Sequence, residues 1–331
     1  MRAALYRSTG KASDVLHVEE IEQPEPGPGE VLVRVHASGV NPTDYKARSG
    51  AVPRPIDGFQ IPHMDGAGVI EAVGPGVDPK RSGERVWLWL AAAGRRWGTA
   101  AEYTVVPSAH ATRLPDSVSY ELGATLGVPA MTAHWCVFAD GPVDGHTVLV
   151  AGGAGAVGHF AIEWAKRGGA RVATTVSSPA KGELAAAAGA DLVVNYRSGD
   201  TAAQIKAFAP AVDRVIEVAL GANLELDLAV SRPLTTIVTY AAQDTDPVLP
   251  VRACMSANVA LRFVLLYGVP ETAMQEAAAD VTAALAAGQL TGLPVHTFPL
   301  ADAAAAHEAA ENGVTGKVVI VPLPVMTYFF G

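Results

Sequence analysis

The chain has 331 residues, half of them apolar, and its 24 basic and 33 acidic side chains leave a formal charge of −9. That length exceeds one ordinary core and fits two domains, and the composition excludes a disordered or fibrous chain. An acidic balance argues against sequence-independent nucleic-acid binding, and two cysteines, Cys136 and Cys254, exclude a disulfide framework, a cysteine-rich zinc lobe and an iron–sulfur cluster.

The mean hydropathy is positive, yet no run reads as a membrane span. The most apolar stretch, 259–269, contains Arg262 and falls far short of the roughly 20 residues a spanning helix needs. The first residues, MRAALYRSTG, carry no apolar secretion signal. A cytoplasmic protein with no membrane partner is expected.

The first part reads as β-rich. Residues 30–36 (EVLVRVH) and 68–73 (GVIEAV) are short apolar runs bounded by Pro and Gly, and 87–90 and 102–106 are further strand candidates. Their spacing suggests a folded-over sheet or partial barrel. Near residue 127 the pattern changes, and from His146 onward strands and helices alternate. Strands are expected at 147–151, 171–176, 192–195, 214–218, 236–240 and 259–266, and helices at 157–167 and 179–188. Near-continuous Val/Ile strands between helices are the mark of a parallel sheet covered on both faces. Helix 271–287 begins after Pro270, and another Ala-rich helix precedes a final strand at 317–321.

Gly153-Ala154-Gly155-Ala156-Val157-Gly158 fits G-x-G-x-x-G between a strand and a helix. Such glycines allow a tight turn and close backbone approach to a pyrophosphate, which the helix N-terminus then binds through free N–H groups. An NAD site places an acid at the end of the second strand, on the ribose 2′-OH. Here that strand is followed by Ser177, Ser178 and Lys181, with no acid. Hydroxyls and an ammonium suit a 2′-phosphate, and Tyr196 and Arg197 close the same pocket from the third strand. The cofactor expected is NADPH. Cys136 (helical), Cys254 (in a loop), His296 and His307 show no metal-ligand spacing, so both cysteines read as small buried apolar groups. Metal-free hydride transfer suits an electron-poor acceptor, a quinone or an activated alkene.

Residues 35–42 (VHASGVNP), 48–50 (RSG), 67–74 (AGVIEAVG), 83–86 (GERV), the glycine turn, 195–197 (NYR) and 315–317 (TGK) together resemble the zinc-free, zeta-crystallin-like quinone oxidoreductases of the medium-chain dehydrogenase/reductase superfamily. The resemblance implies an α/β fold: a Rossmann doubly wound parallel sheet at 127–268, and a β-rich GroES-like catalytic domain from 1–126 and 269–331. It implies NADPH, a quinone acceptor and a homodimer paired through the edge strand 259–266. Asn41 and Met64 stand where zinc-containing relatives carry Cys and His, and 91–98 has no cysteine lobe, so both zinc sites are absent by this comparison. By position, Asn41 lies beside the nicotinamide, Thr132 contacts the phosphate on that side, Lys181 and Tyr196 hold the 2′-phosphate, and Lys317 belongs to the cofactor set.

Two departures matter. Quinone reductases close to zeta-crystallin have Tyr at the position of Lys46, whereas here Tyr45 comes one place earlier. The N-P-x-D-x-K form resembles the alkenal/enone reductase branch, which makes a C=C reductase the rival activity and Asn41, Tyr45 and Lys46 the catalytic candidates. A non-enzymatic nucleotide-binding or crystallin-like structural role is the rival of another class. The tail 323–331 (LPVMTYFFG) is apolar and aromatic, read either as a segment packing on a neighbouring surface or as a frameshift-like end.

Overall fold

A computed structural model describes residues 1–242 and 245–322, and the apolar tail lies outside the described residues. The chain divides into two compact units. The first comprises Met1–Val128, Ala278–Ala287 and the segment from Pro294 onward; the second comprises Pro129–Ala277 and Gly288–Leu293.

The first unit carries a mixed sheet in the order Val295–Pro299, Lys317–Val321, Glu30–Gly39, Asp65–Val73, Arg85–Leu88, Ala111–Arg113, and Tyr103–Pro107 also pairs with Glu30–Gly39. Its first pair is parallel and the other pairs are antiparallel. Val31, Leu32, Val33 and Val35 are all buried, so the Glu30–Gly39 strand is covered on both faces. Two register shifts against Asp65–Val73 bend this strand, as bulges do, which turns a sheet toward a barrel. A hairpin of Arg2–Leu5 and His17–Glu20 adds Ala3, Ala4 and Leu5 to a core shared with Val318 and Ile320. The helix Pro42–Ser49 was not expected. Its mostly polar sequence hides it, but Pro42 at the first turn, and Asp44 accepting the Asn41 backbone N–H at 2.7 Å, start it.

The second unit is a six-stranded, fully parallel sheet. Its order is Leu192–Asn195, Arg171–Val176, Thr147–Val150, Val212–Glu217, Ser231–Thr239, Ala260–Phe263. The chain therefore winds outward in both directions from Thr147–Val150, and the order reverses between that strand and Val212–Glu217. In such sheets ligands bind at that reversal, beyond the carboxyl ends of the strands. Val148, Val150, Val215, Ile216, Ile237 and Val238 are fully buried, which explains the runs of Val and Ile.

Three expectations need correction. The sixth strand is only Ala260–Phe263: the Val264 N–H still reaches Thr239 O, but a 3-10 turn follows at Leu266–Gly268. Cys254 lies in the helix Val251–Ala257, not a loop, and is only partly buried. The helices Thr201–Phe208 and Leu220–Val230 were also missed. Among the described residues, no helix is long and apolar enough to cross a membrane.

Candidate active site

In the second unit the glycine turn follows Thr147–Val150 and opens the helix Ala156–Arg167, with Gly155 at the N-cap position and no side chain capping it. The first N–H groups of this helix are thus left for a ligand. A Cβ on Gly153 would overlap Thr174 Oγ1, and one on Gly158 would overlap Gly152 O, whereas one on Gly155 meets Gly152 O at 3.2 Å. The outer glycines are demanded by packing of strand, turn and helix. The middle one leaves the approach to the backbone open. Ala154, Ala156 and Val157 complete this loop and first turn.

The 2′-phosphate candidates come together. Arg171–Val176 and Leu192–Asn195 pair in parallel with Val176 opposite Asn195, and the Tyr196 N–H donates to Val176 O at 3.1 Å. Ser177, Ser178, Tyr196 and Arg197 therefore leave adjacent strand ends on the same edge of the sheet. Ser178 caps the helix Pro179–Ala187, its Oγ accepting the Lys181 N–H at 3.3 Å. Tyr196 is 51% exposed and Arg197 lies over its ring at 6.0 Å. The Lys181 ammonium makes no hydrogen bond or ion pair among the described residues. This edge holds two hydroxyls and two uncommitted cations, with no acid on the strand ends that carry them. Thr132 is buried in the helix Gly127–Phe138.

In the first unit, Asn41 is 2% exposed and both ends of its amide are engaged. Nδ2 donates to Asp65 Oδ2 at 2.7 Å and Oδ1 accepts from Lys317 Nζ at 2.7 Å. Lys317 Nζ also donates to Val40 O at 2.9 Å, and Asp65 Oδ1 accepts the Val128 N–H at 2.8 Å. Lys317, expected in the cofactor set, sits in this buried cluster of the first unit. Burial pushes the Asp44 carboxyl up to about 7; the Asn41 N–H opposes this, Asp65 adds to it, and Lys317 and Arg54 oppose it. Burial likewise raises Asp65 to about 6 against the pull of Lys317, Asn41 and the Val128 N–H. Burial lowers Lys317 despite both carboxylates.

A second chain of polar groups runs into the same strand. His307 Nε2 meets His63 Nε2 at 2.9 Å, His63 Nδ1 meets Ser38 Oγ at 2.7 Å, and Ser38 Oγ meets Thr99 Oγ1 at 2.7 Å. Thr99 in turn donates to Asp65 O. Burial drives both imidazoles below their usual range, His307 to about 3, so both are neutral. Four contacts then need four protons. One running direction supplies them: His307 to His63 to Ser38 to Thr99 to Asp65 O. The tautomers are assigned from this count.

Tyr45 packs half-buried against the first unit's core, while Lys46 is half-exposed, its ammonium without a hydrogen bond or ion pair among the described residues. Sequence reasoning missed Asp44, Asp65, His63 and His307 as parts of a site. Asp65 alone left a signal, a lone acid inside the small-residue run 65–68. Among the described residues no three His, Cys, Asp or Glu side chains are grouped so as to hold a metal ion.

Residues 27–116 match the family described as alcohol dehydrogenase GroES-like domain, and 156–283 match the one described as zinc-binding dehydrogenase. The chain is 30% identical to a quinone oxidoreductase of Mus musculus over 311 residues, 91% of this chain and 92% of that one. A solved mycobacterial quinone oxidoreductase is 32% identical with a TM-score of 0.85, covering 97% of this chain and 100% of that one. A mycobacterial structure complexed with NADPH is 31% identical with the same TM-score and coverage.

Proposed function

The chain belongs to the medium-chain dehydrogenase/reductase superfamily, in its quinone oxidoreductase type, and is an oxidoreductase; from this we propose that it reduces quinones with NADPH, without a metal. The observation that carries the cofactor half is the strand edge of Ser177, Ser178, Lys181, Tyr196 and Arg197, where an NAD site would place an acid. NADPH, when bound, supplies a hydride and the protein contributes none of the redox chemistry.

The glycine loop and first turn of Ala156–Arg167 bind the pyrophosphate through backbone N–H groups. Lys181 and Arg197 neutralise the 2′-phosphate, with Tyr196 beside it. Asn41 is a positioning residue: its amide is fixed by Lys317 and Asp65 before any ligand arrives, which reduces the ordering cost of binding. The buried cluster holds the Asn41–Ser49 segment, and with it Tyr45 and Lys46, in one geometry. The acceptor is supported by the named quinone oxidoreductase relatives. We assign the GroES-like domain to the first unit and the Rossmann domain to the second, which places the return crossing after Ala277 and not at the expected residue 269 and leaves Gly288–Leu293 with the Rossmann domain.

A C=C reductase is the second reading, and the uncommitted Lys46 ammonium favours it, since a cation beside a carbonyl polarises an enone. Steady-state rates with NADPH against a quinone panel and an alkenal panel separate the two. Quinones turned over at higher kcat/KM support the first, and selective alkenal turnover overturns it.

We also infer a homodimer through the sheet edge. Ala260–Phe263 is an edge strand, and Phe263, Leu265, Val251 and Met255 are exposed by 62–74%. Sedimentation equilibrium tests this: a concentration-independent monomer contradicts it.

A further inference from the structure

Two carboxylic acids lie buried in the second unit with no cation beside them among the described residues. Glu217 is the last residue of Val212–Glu217 and is fully buried; Asp227 lies on the helix Leu220–Val230 and is 1% exposed. Asp227 lies one helical turn after Asn223, on the same face of that helix. Glu217 Oε1 accepts the Ala219 N–H and, at 3.0 Å, Asn223 Nδ2. Among the described residues, Glu217 Oε2 and both Asp227 oxygens receive no hydrogen-bond donor. Two carboxylates have no proton to place between them, so a hydrogen bond joining these acids requires one of them to be protonated. Burial raises both acids, and the Glu217 charge raises Asp227 further, to about 8.

Among the described residues the surroundings offer no countercharge. Tyr240, whose N–H donates to Glu217 O at 3.3 Å, has its phenol pushed up by burial, Cys136 and Glu217. The neighbouring strand Ser231–Thr239 brings Arg232, which pairs with Asp213 at the opposite end of Val212–Glu217. Lys206 and Arg252, on the two helices packed against Leu220–Val230, are exposed, as is Glu225 of that helix.

The pair sits at the reversal of strand order. The Ala151 N–H donates to Ile216 O at 2.9 Å, and a Cβ on Gly152 (φ +70) would stand 3.3 Å from Val218 Cγ1. The turn 217–219 is therefore the direct neighbour of the glycine loop, and the Glu217 carboxylate closes that turn on the Ala219 N–H.

We propose that Glu217 and Asp227 are a proton-sharing pair of positioning residues that hold the turn 217–219 against the glycine loop, so that nucleotide affinity falls when the shared proton is lost. This rests on the reading of the loop as the NADPH site. With the proton gone, two like charges face each other in a water-poor interior, where their repulsion is weakly screened. Glu217 then moves away from Asp227 and loosens its hold on Ala219. In Asp227→Asn or Glu217→Gln an amide N–H takes the place of the shared proton at every pH.

The test is the NADPH dissociation constant of the full chain, measured by fluorescence titration from about pH 7 to about pH 9.5. The wild type is expected to weaken about fivefold or more above about pH 8, while both amide variants hold within about twofold. A flat wild-type profile, or an unchanged slope in both variants, overturns the proposal. If NADPH does not bind at any pH, the cofactor reading falls and the coupling with it. The shared proton is then judged by thermal unfolding. A raised carboxyl stabilises the fold at low pH and loses that contribution as pH rises through its folded value, so the wild-type midpoint must fall more steeply from about pH 5 to 8 than that of Asp227→Asn. Equal slopes overturn the shared proton as well.

Discussion

Lys317 Nζ donates to Asn41 Oδ1 at 2.7 Å, joining residues 276 positions apart in the chain. Lys317 is 4% exposed, and its ammonium offsets the charge of Asp65 across the same amide. Removing it leaves buried carboxylates without their main counterion. Lys317→Met is expected to cost about 3–5 kcal/mol in denaturant unfolding, because an uncompensated buried charge remains. Adding Asp65→Asn removes that charge, so the double variant regains part of the loss. A cost near zero for Lys317→Met contradicts the pairing.

The same cluster gives stability a pH dependence of defined sign. Asp44 and Asp65 are raised in the folded state, to about 7 and about 6. The folded chain therefore binds more protons than the unfolded one between the ordinary carboxyl range and those values. This contribution is complete below the unfolded carboxyl range and is lost as pH rises through about 6–7. Thermal midpoints are expected to fall from about pH 4 to 7 on this account. Asp44→Asn keeps an acceptor for the Asn41 N–H and flattens that fall; an unchanged slope contradicts the assignment.

The glycines of the nucleotide loop divide by role. Gly158→Ala places a methyl on Gly152 O, which is backbone and cannot turn aside. It is expected to lower the unfolding midpoint of the ligand-free protein and to abolish nucleotide binding. Gly155→Ala meets its nearest atom at 3.2 Å and is expected to leave the midpoint nearly unchanged. It still weakens NADPH binding about tenfold or more, since the methyl occupies the approach to the pyrophosphate. Equal destabilisation by both variants contradicts this division.

Lys181 tests the cofactor pocket. Lys181→Ala is expected to weaken NADPH about tenfold, by loss of one charge-assisted contact, and to leave NADH unaffected. An unchanged NADPH-to-NADH ratio contradicts its place at the 2′-phosphate.

The strand, glycine turn and helix of the second unit were legible because their determinants are local. A glycine turn, the strand before it and the helix after it occupy 147–167, and Val176 with Asn195 ends strands whose Val and Ile runs announce them. The sheet edge was less so: Val264 and Leu265 continue an apolar run after the strand has ended, and the 3-10 turn shows only in the backbone bonds from the Gly268 N–H to Leu265 O and the Val269 N–H to Leu266 O. The buried cluster was the least legible. Asn41 was singled out, but Lys317 was placed with the cofactor residues and Asp65 reads as one acid among 33 acidic residues. Their pairing depends on Glu30–Gly39 lying between Lys317–Val321 and Asp65–Val73, a register that no local pattern encodes. His63 and His307 were hidden for the same reason.

The most direct measurement is oxidation of NADPH by the purified chain with a simple quinone as acceptor, run beside NADH and beside an alkenal. The expected result is quinone-dependent NADPH oxidation with kcat/KM about tenfold or more above that with NADH, and above that for the alkenal with NADPH. NADPH binding without quinone reduction, or a preference for NADH, contradicts it.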